Sequence, residues 1–364
     1  MKVKILSISD VIALMIFTID MGTYFFESNF FLRYFPFLLG LNFIVIIAVQ
    51  SKDYIYLSIA LLLVFLCCMI RNQDASLNIM SILINLSIGF YLYLRNPNKT
   101  AILLLMIFFL MMLVFRFYLS FDDIEQILTS GSVNYISVIA LSATALYYTF
   151  VPEKNGPVNI FPALLTCFLC VLSTGRSGAV CSIVLLGGLF LYNYKFVRTR
   201  VLMNFAYMVI LLVTFLTVIE YADVLYAVDN SSSLFFRFGL DYAQDGRALI
   251  LTEYFSNFSF LDFLFGKGNS AISEAVGLSV HISYLQWHIS LGVLAIPVFM
   301  LVLFANFKMF RINKLYCLIM TIILMRAATD NVLLTAGFVF GPLIIYFCTI
   351  VYHPYYHHLK TKKS

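Results

Sequence analysis

An arginine flanked by glycines and hydroxyl residues separates two strongly apolar runs of this sequence. The stretch STGRSGA occupies positions 173–179 and carries Arg176, with Ser177 beside it. Arginine keeps its charge and presents a planar fork of donors that matches phosphate oxygens, and glycine lets the backbone come close to a ligand. The pattern predicts an anion-binding connector built on Arg176 and Ser177. The alternative is a tight turn whose arginine extends to lipid headgroups.

A second arginine stands in QDGRALILTEYF, at 244–255. Asp245 is typical of an N-cap, so we expect a helix with Arg247 in its first turn. A helix N-terminus beside an arginine favours an anion. We expect the helix to lie on a membrane surface, with an apolar face formed by Leu249, Leu251, Phe255 and Phe258. The alternative is an amphipathic helix with one solvated charge.

A glycine-rich turn, LFGKGNS, follows at 264–270 and places Lys267 at its tip. The turn lacks the full phosphate-loop pattern of nucleotide-binding proteins, so we do not predict nucleotide binding. Lys267 is a candidate substrate-binding residue, and the alternative is an ordinary loop tip.

The segment HISYLQWHISLG, at 281–292, opens an apolar run. His281, Tyr284 and His288 share one helical face by their spacing, with His281 at the water boundary and His288 about 10 Å deeper. Histidine exchanges a proton near neutral pH, so His281 is the candidate general base and Tyr284 a candidate substrate contact. The alternative is an interfacial histidine in an aromatic belt. If His281 is not the general base, the next candidates are the carboxylates of Asp245 and Glu253.

Arg326 and Asp330 lie four residues apart near the end of a later apolar run. They either pair with each other or leave Arg326 to bind substrate. The histidines of HPYYHH, at 353–358, have no acidic neighbour and suggest an interfacial tail. No metal and no cofactor is predicted.

The elements that must position these residues follow from composition. The chain of 364 residues is 62% hydrophobic and only 11% charged, with a mean hydropathy of +0.96. Soluble domains carry about 25% charged residues, and continuous apolar runs of about twenty residues predict membrane helices and not a β-barrel. We expect an all-α, polytopic integral membrane protein with a single membrane domain over 1–364. About twelve spans are predicted, at 7–26, 31–50, 54–70, 77–94, 100–119, 132–150, 157–173, 178–194, 201–219, 281–305, 314–330 and 332–352.

The positions of the basic residues predict the orientation. With both termini in the cytoplasm, the cytoplasmic ends hold 15 of the 23 basic residues, namely Lys2, Lys4, Lys52, Arg95, Lys99, Lys154, Lys195, Arg198, Arg200, Lys308, Arg311, Lys314, Lys360, Lys362 and Lys363. These short loops hold most of the positive charge of a chain whose net charge is +5, so a nucleic-acid surface is not needed. The long polar connector at 220–280, between the ninth and tenth spans, then lies outside, on the same side as the arginines and His281.

Four short motifs resemble, in order and spacing, those of the O-antigen polymerase and ligase superfamily. They are STGRSGA between two spans, GR at the start of the loop helix, LFGKG later in the loop and HISYLQ entering the next span. The resemblance covers roughly 173–292. It implies a membrane-embedded glycosyltransferase of the C type with a large periplasmic loop in the bacterial inner membrane. The implied donor is an undecaprenyl-pyrophosphate-linked glycan. Arg176 and Arg247 match the family's phosphate-binding arginines, and His281 matches its histidine or polar residue after the loop.

The expected activity is that of a polysaccharide polymerase, which transfers the growing chain to an incoming lipid-linked repeat unit without a metal and with inversion. It would make O-antigen, capsule or exopolysaccharide, and a flippase and a chain-length regulator are the expected partners besides membrane lipid. Three alternatives stay open: an O-antigen ligase, a flippase for the same lipid-linked glycan, and a non-catalytic membrane component. A flippase should carry ionisable residues in the middle of its spans, and these spans are nearly free of them.

Overall fold

A computed structural model describes residues 8–25, 75–119, 127–129, 134–152, 156–173, 175–194, 246–256, 258–267, 269–277, 280, 282–333 and 339–352, together with residues 35, 39–40, 44, 55–56, 59 and 63. Throughout these residues the regular structure is helical, with no strand. The helices, numbered in chain order, are α1 (Ile8–Gly22), α2 (Ala75–Arg95), α3 (Lys99–Leu119), α4 (Asn134–Phe150), α5 (Phe161–Leu172), α6 (Arg176–Tyr194), α7 (Gly246–Phe255), α8 (Phe260–Phe265), α9 (Asn269–Val276), α10 (Ser283–Leu291), α11 (Ala295–Ile312), α12 (Lys314–Ala327) and α13 (Phe340–Tyr352).

Within the described part of the chain, three stretches are long and apolar enough to cross a membrane, namely Lys99–Leu119, Ser177–Tyr194 and Ser283–Ile312. The third consists of α10 and α11, joined by a 3-10 turn at Gly292–Leu294. Pro297, in the first turn of α11, has no backbone N–H for the preceding turn, which explains the irregular geometry there. Shorter apolar helices cover Ser81–Arg95, Phe161–Leu172 and Phe340–Tyr352.

The all-α fold class is confirmed for the described residues, and nine of the twelve predicted spans coincide with described helices. The predictions at 31–50, 54–70 and 201–219 lie outside the described residues, apart from isolated positions. Two boundaries were wrong: α13 begins at Phe340 and not near 332, and α11 ends at Ile312 and not near 305. Near the end of α11, basic side chains lie over aromatic rings, and Lys308 Nζ is 4.7 Å from the centre of the Phe304 ring.

The helices form two compact units. In the first, which contains α1, α2 and α7–α13, α2 packs along α13 at Gly89, where a Cβ would overlap Ile345 and the Pro342 carbonyl. Asn313 caps α12 by accepting hydrogen bonds from the backbone N–H groups of Leu315 and Tyr316, which produces a tight turn after α11.

The second unit contains α4–α6 and nearly all of α3. Every residue of α4 from Ile136 to Phe150 is buried. The hydroxyls of Thr144 and Thr166 meet at 2.5 Å and join α4 to α5, and Pro162 stands in the first turn of α5, where its missing N–H costs nothing. This packing positions the connector between α5 and α6.

Candidate functional site

The connector between α5 and α6 is short, and the structure describes Ser173 and Gly175 on either side of position 174. Ser173 ends α5, with its N–H donating to the Leu169 carbonyl at 3.0 Å and its Oγ to the Cys170 carbonyl at 2.9 Å. Ser173 and Gly175 are both buried. Arg176 is the first residue of α6, and Ser177 is half-buried. The predicted connector therefore ends in a helix N-terminus, with Arg176 at its first position.

The first turn of α6 lies directly on the first turn of α4. A Cβ at Gly178 would overlap the Cβ and Oγ of Ser137, and a Cβ at Gly175 would come within 3.2 Å of the Asn134 side chain. Ser137 Oγ donates to the Asn134 carbonyl at 2.7 Å, which holds it in place. Glycine is required here for close approach, and the backbone at Arg176 is fixed by its immediate neighbours.

The helix that carries Arg247 forms as predicted, because α7 begins at Gly246 and places Arg247 in its first turn. Its buried face consists of Ile250 and Tyr254, which are 0% and 1% exposed and join a small core with α9 and α10. Leu249, Leu251 and Phe255 are exposed. Three of the four apolar residues predicted to cover one face thus lie outward, whereas Phe258 packs against the core beside Tyr254 and His288.

Lys267 binds the C-terminal end of α7. Its Nζ donates to the carbonyls of Glu253 at 2.8 Å and Ser256 at 2.7 Å, with Tyr254 at 3.5 Å. A cation at a helix C-terminus satisfies carbonyls that have no partner within the helix. The side chain predicted to bind substrate is therefore occupied by the backbone of α7.

His288 of α10 contacts α7 through Tyr254. A short hydrogen bond joins the Tyr254 hydroxyl to His288 Nδ1, and the rings of Phe258 and Phe263 lie within 6.1 Å of the imidazole. Burial, followed by the charge of Asp262, raises the pKa of Tyr254 above its ordinary value, so the phenol stays protonated. The pair connects the arginine helix to the kinked span.

Two glycines let α8 and the kink of the span meet backbone to backbone. Gly266 has φ +83° and Gly292 has φ +54°. A Cβ at Gly266 would overlap the Ile289 carbonyl, and one at Gly292 would overlap the Leu264 carbonyl. Positive φ and the absence of a side chain are both needed at this crossing. The LFGKG turn and the end of HISYLQWHISLG are therefore in direct contact.

The N-terminal end of α10 is attached to the end of α12. Ser283 Oγ donates to the Asp330 carbonyl at 2.6 Å and accepts from the Val332 N–H at 2.8 Å. Tyr284 donates its O–H to the Leu324 carbonyl at 2.5 Å. The Tyr284 hydroxyl, predicted to contact substrate, thus makes a bond between helices.

Arg326 is fully buried, and its Nη1 lies 2.5 Å from the Asp330 carboxylate and 3.2 Å from Thr329 Oγ1. Of the two alternatives drawn from the spacing, the pairing with Asp330 is the one observed. A buried charge needs such a partner because desolvation is costly.

The candidate residues are distributed over both units. Lys267, Tyr284, Arg326 and the helix of Arg247 belong to the first unit, and Arg176 and Ser177 to the second. His281 lies outside the described residues. The sequence analysis did not identify Tyr254 and assigned no role to His288. The pair could have been suspected because a histidine on an apolar helix face requires a polar partner.

Comparison with known proteins gave no match: neither a family model, nor a curated protein, nor a solved structure matches this chain.

Proposed function

We propose that the protein is a membrane glycosyltransferase that polymerises a polysaccharide from undecaprenyl-pyrophosphate-linked oligosaccharide units at the outer face of the bacterial inner membrane. The observation that carries the proposal is the packing of three motifs in the first unit. The GR helix, the FGKG turn and the HISYLQ span are separate in sequence, and they contact one another through Lys267, Tyr254–His288 and the glycine crossing. These are the loop motifs on which the resemblance to O-antigen polymerases rests.

In the proposed reaction, His281 deprotonates or orients the acceptor hydroxyl, whose oxygen attacks the anomeric carbon of the donor sugar. The bond to pyrophosphate breaks on the opposite face, so the configuration inverts. Arg176 and Arg247 stabilise the negative charge that develops on the leaving pyrophosphate, and such stabilisation is typically the largest contribution to catalysis. Both arginines stand in the first turn of a helix, where backbone N–H groups favour an anion.

The remaining candidates divide by what they contact. Ser177, next to Arg176, is the candidate hydroxyl donor to the pyrophosphate. Lys267, Tyr284 and Arg326 are engaged in protein contacts, so we assign them to holding α7, α10 and α12 in position. A flippase and a chain-length regulator are the expected partners, because the substrate must first cross the membrane and the number of repeat units must be set.

The test is complementation of a deletion strain, with the polysaccharide ladder as the readout. Arg176→Ala and Arg247→Ala should each abolish the ladder at normal membrane levels. Lysine at either position should restore it only in part, because it keeps the charge and loses the fork. Arg311→Ala, an exposed arginine at the end of α11, is the matched control and should leave the ladder intact.

The form of the glycan decides among functions. A single repeat unit on the core, with the ladder lost, supports a polymerase. Loss of all glycan from the core indicates a ligase, and accumulation of lipid-linked units on the cytoplasmic side indicates a flippase. Normal ladders from both alanine variants would contradict the assignment of the pyrophosphate site.

A further inference from the structure

The C-terminal end of α11 repeats one arrangement of side chains three times. An exposed phenylalanine is followed four residues later by an exposed basic residue, in the pairs Phe304 and Lys308, Phe307 and Arg311, and Phe310 and Lys314. In these pairs the lysine Nζ or arginine Cζ lies 4.7, 5.7 and 5.2 Å from the centre of the ring. These six residues, the last of which begins α12, form a surface that we call the basic end of α11.

Two of these cations carry positive charge that the protein does not compensate. Among the residues that the structure describes, neither Lys308 nor Arg311 forms an ion pair with a carboxylate. Lys308 lies between two rings, because its Nζ is also 6.0 Å from the centre of the Tyr352 ring. A ring face attracts a cation and does not neutralise it, so this surface favours an anionic partner.

The length of the span places this surface at the boundary of a bilayer. The stretch Ser283–Ile312 has 30 residues, which at 1.5 Å per residue is about 45 Å and matches a bilayer with both headgroup regions. Lys308 and Arg311 lie within about 6 Å of the end of this stretch, which is the depth of one headgroup region. Phe304 lies about 12 Å from the end and reaches the hydrocarbon. The two cations therefore lie among headgroups, with aromatic rings beneath them.

The chemistry of this surface selects its occupant. Lys308 and Arg311 are three residues apart and thus neighbours on α11, so one phosphate group can accept hydrogen bonds from the ammonium group and from the planar fork of the guanidinium. A zwitterionic phospholipid brings its own ammonium group and leaves the two positive charges uncompensated, whereas an anionic phospholipid has a net negative charge. A soluble acidic protein would have to displace headgroups to reach this depth.

We propose that the basic end of α11 binds the headgroup of an anionic glycerophospholipid, with the phosphate held between Lys308 and Arg311. The rings of Phe304 and Phe307 hold the two cations at the level of the headgroups, and the bound lipid fixes the depth of α11 in the membrane. The proposal is independent of glycosyl transfer and stands or falls without it. Arg311→Ala leaves Lys308 in place and remains a suitable control for polymer formation.

A tryptophan at this surface tests the proposal in the full-length protein. Phe307→Trp keeps an aromatic ring under Arg311, and tryptophan is the ring that attracts cations best. The variant is reconstituted in mixed vesicles of phosphatidylcholine and phosphatidylglycerol, in which one lipid at a time carries brominated acyl chains that quench tryptophan on contact. At equal mole fractions, brominated phosphatidylglycerol should quench more strongly than brominated phosphatidylcholine. Equal quenching by the two lipids would overturn the proposal and leave the surface to a soluble acidic partner.

The native tryptophan supplies the internal control. Trp287 is the single tryptophan of the chain, and it lies about 30 Å from position 307 along the span. Its quenching, measured in the unaltered protein, is subtracted from that of the variant and should show no preference for phosphatidylglycerol. The same preference at Trp287 would show that the whole protein surface attracts this lipid, which would overturn a site at the basic end of α11.

Substitutions of the cations in the Phe307→Trp background locate the site. One Lys or Arg near an anionic membrane surface contributes about fivefold to binding, so Lys308→Gln and Arg311→Gln together should lower the relative binding constant of phosphatidylglycerol roughly 25-fold. Lys99→Gln removes an exposed cation at the start of α3 and should leave the preference unchanged. An undiminished preference in the double variant, or an equal loss in Lys99→Gln, would overturn the assignment.

Salt and a soluble anion complete the test while both cations stay in place. Sodium chloride at about 1 M shortens the Debye length to about 3 Å, so the preference for phosphatidylglycerol should fall strongly. Glycerol 3-phosphate at millimolar concentration and constant ionic strength should leave it unchanged. A preference that resists salt would contradict an electrostatic site. A preference lost to glycerol 3-phosphate would assign the surface to a free phosphate anion and overturn the lipid assignment.

Discussion

The two arginine helices, α6 and α7, are held in opposite ways. Each carries its arginine in the first turn, Arg176 in α6 and Arg247 in α7. The start of α6 rests on α4 at Gly178, whose missing side chain leaves room for the side chain of Ser137. By contrast, α7 is held at its far end, where Lys267 binds its last carbonyls and Tyr254 bonds to His288.

This difference determines how each helix tolerates change. A contact made through the absence of a side chain is lost with the first added methyl group, because packed interiors have no spare volume. A helix held by several polar side chains loses them one at a time. We therefore expect abrupt effects around α6 and graded effects at the end of α7. The exception is the contact at Gly266 and Gly292, where α8, which follows α7, meets the span through backbone atoms without a side chain.

The largest effect should come from Gly292→Ala. The added Cβ meets the Leu264 carbonyl, and the backbone has a positive φ. Strain of about 1–3 kcal/mol and overpacking of about 1–3 kcal/mol together predict a loss of roughly 2–6 kcal/mol in the free energy of unfolding. The measurement is thermal or denaturant unfolding in detergent.

The matched control for this variant is Gly187→Ala. Gly187 lies within α6, and a Cβ there meets nothing within 4 Å. Alanine in a helix interior is favoured over glycine by about 0.5–1 kcal/mol, so this variant should be slightly more stable than the native chain. Equal stability of the Gly292→Ala and Gly187→Ala variants would rule out the backbone contact between Gly292 and Leu264.

The next effect should come from Gly178→Ala, because the added methyl overlaps Ser137. We expect a loss of about 1–3 kcal/mol. The overlapping atoms are the Cβ and Oγ of Ser137, so Ser137→Gly removes both. The double variant should recover stability except for the cost of about 0.5–1 kcal/mol of a glycine within α4. Failure of Ser137→Gly to rescue would place the contact elsewhere.

The smallest effect should come from Tyr254→Phe. This change removes the hydroxyl that bonds His288 and leaves the aromatic packing in place. The expected loss is about 1–2 kcal/mol, since His288 is half-buried and keeps some access to other partners. In a double-mutant cycle with His288→Ala the losses should be less than additive, because both variants remove one bond. Strictly additive losses in the free energy of unfolding would contradict a hydrogen bond between Tyr254 and His288.

Much of the fold could be predicted from the sequence. The helix that begins at Gly246 was predicted with Arg247 in its first turn, whereas Arg176 was predicted in a connector and instead begins a helix. The predicted N-cap, Asp245, lies outside the described residues. The pairing of Arg326 with Asp330 was one of two alternatives and follows from their separation of four residues at the end of α12. These features depend on residues within one or two turns of each other, and local patterns carry that information.

The sequence by itself determined the helical class, the apolar composition of the spans and the placement of Arg247 in the first turn of a helix. Only the tertiary structure decided that Lys267 binds the end of α7, that Tyr254 meets His288 and that Gly178 lies on Ser137. Hydropathy and periodicity are properties of a short segment. Which side chain meets another 34 or 41 residues away depends on the path of the chain between them, and no local pattern specifies that path.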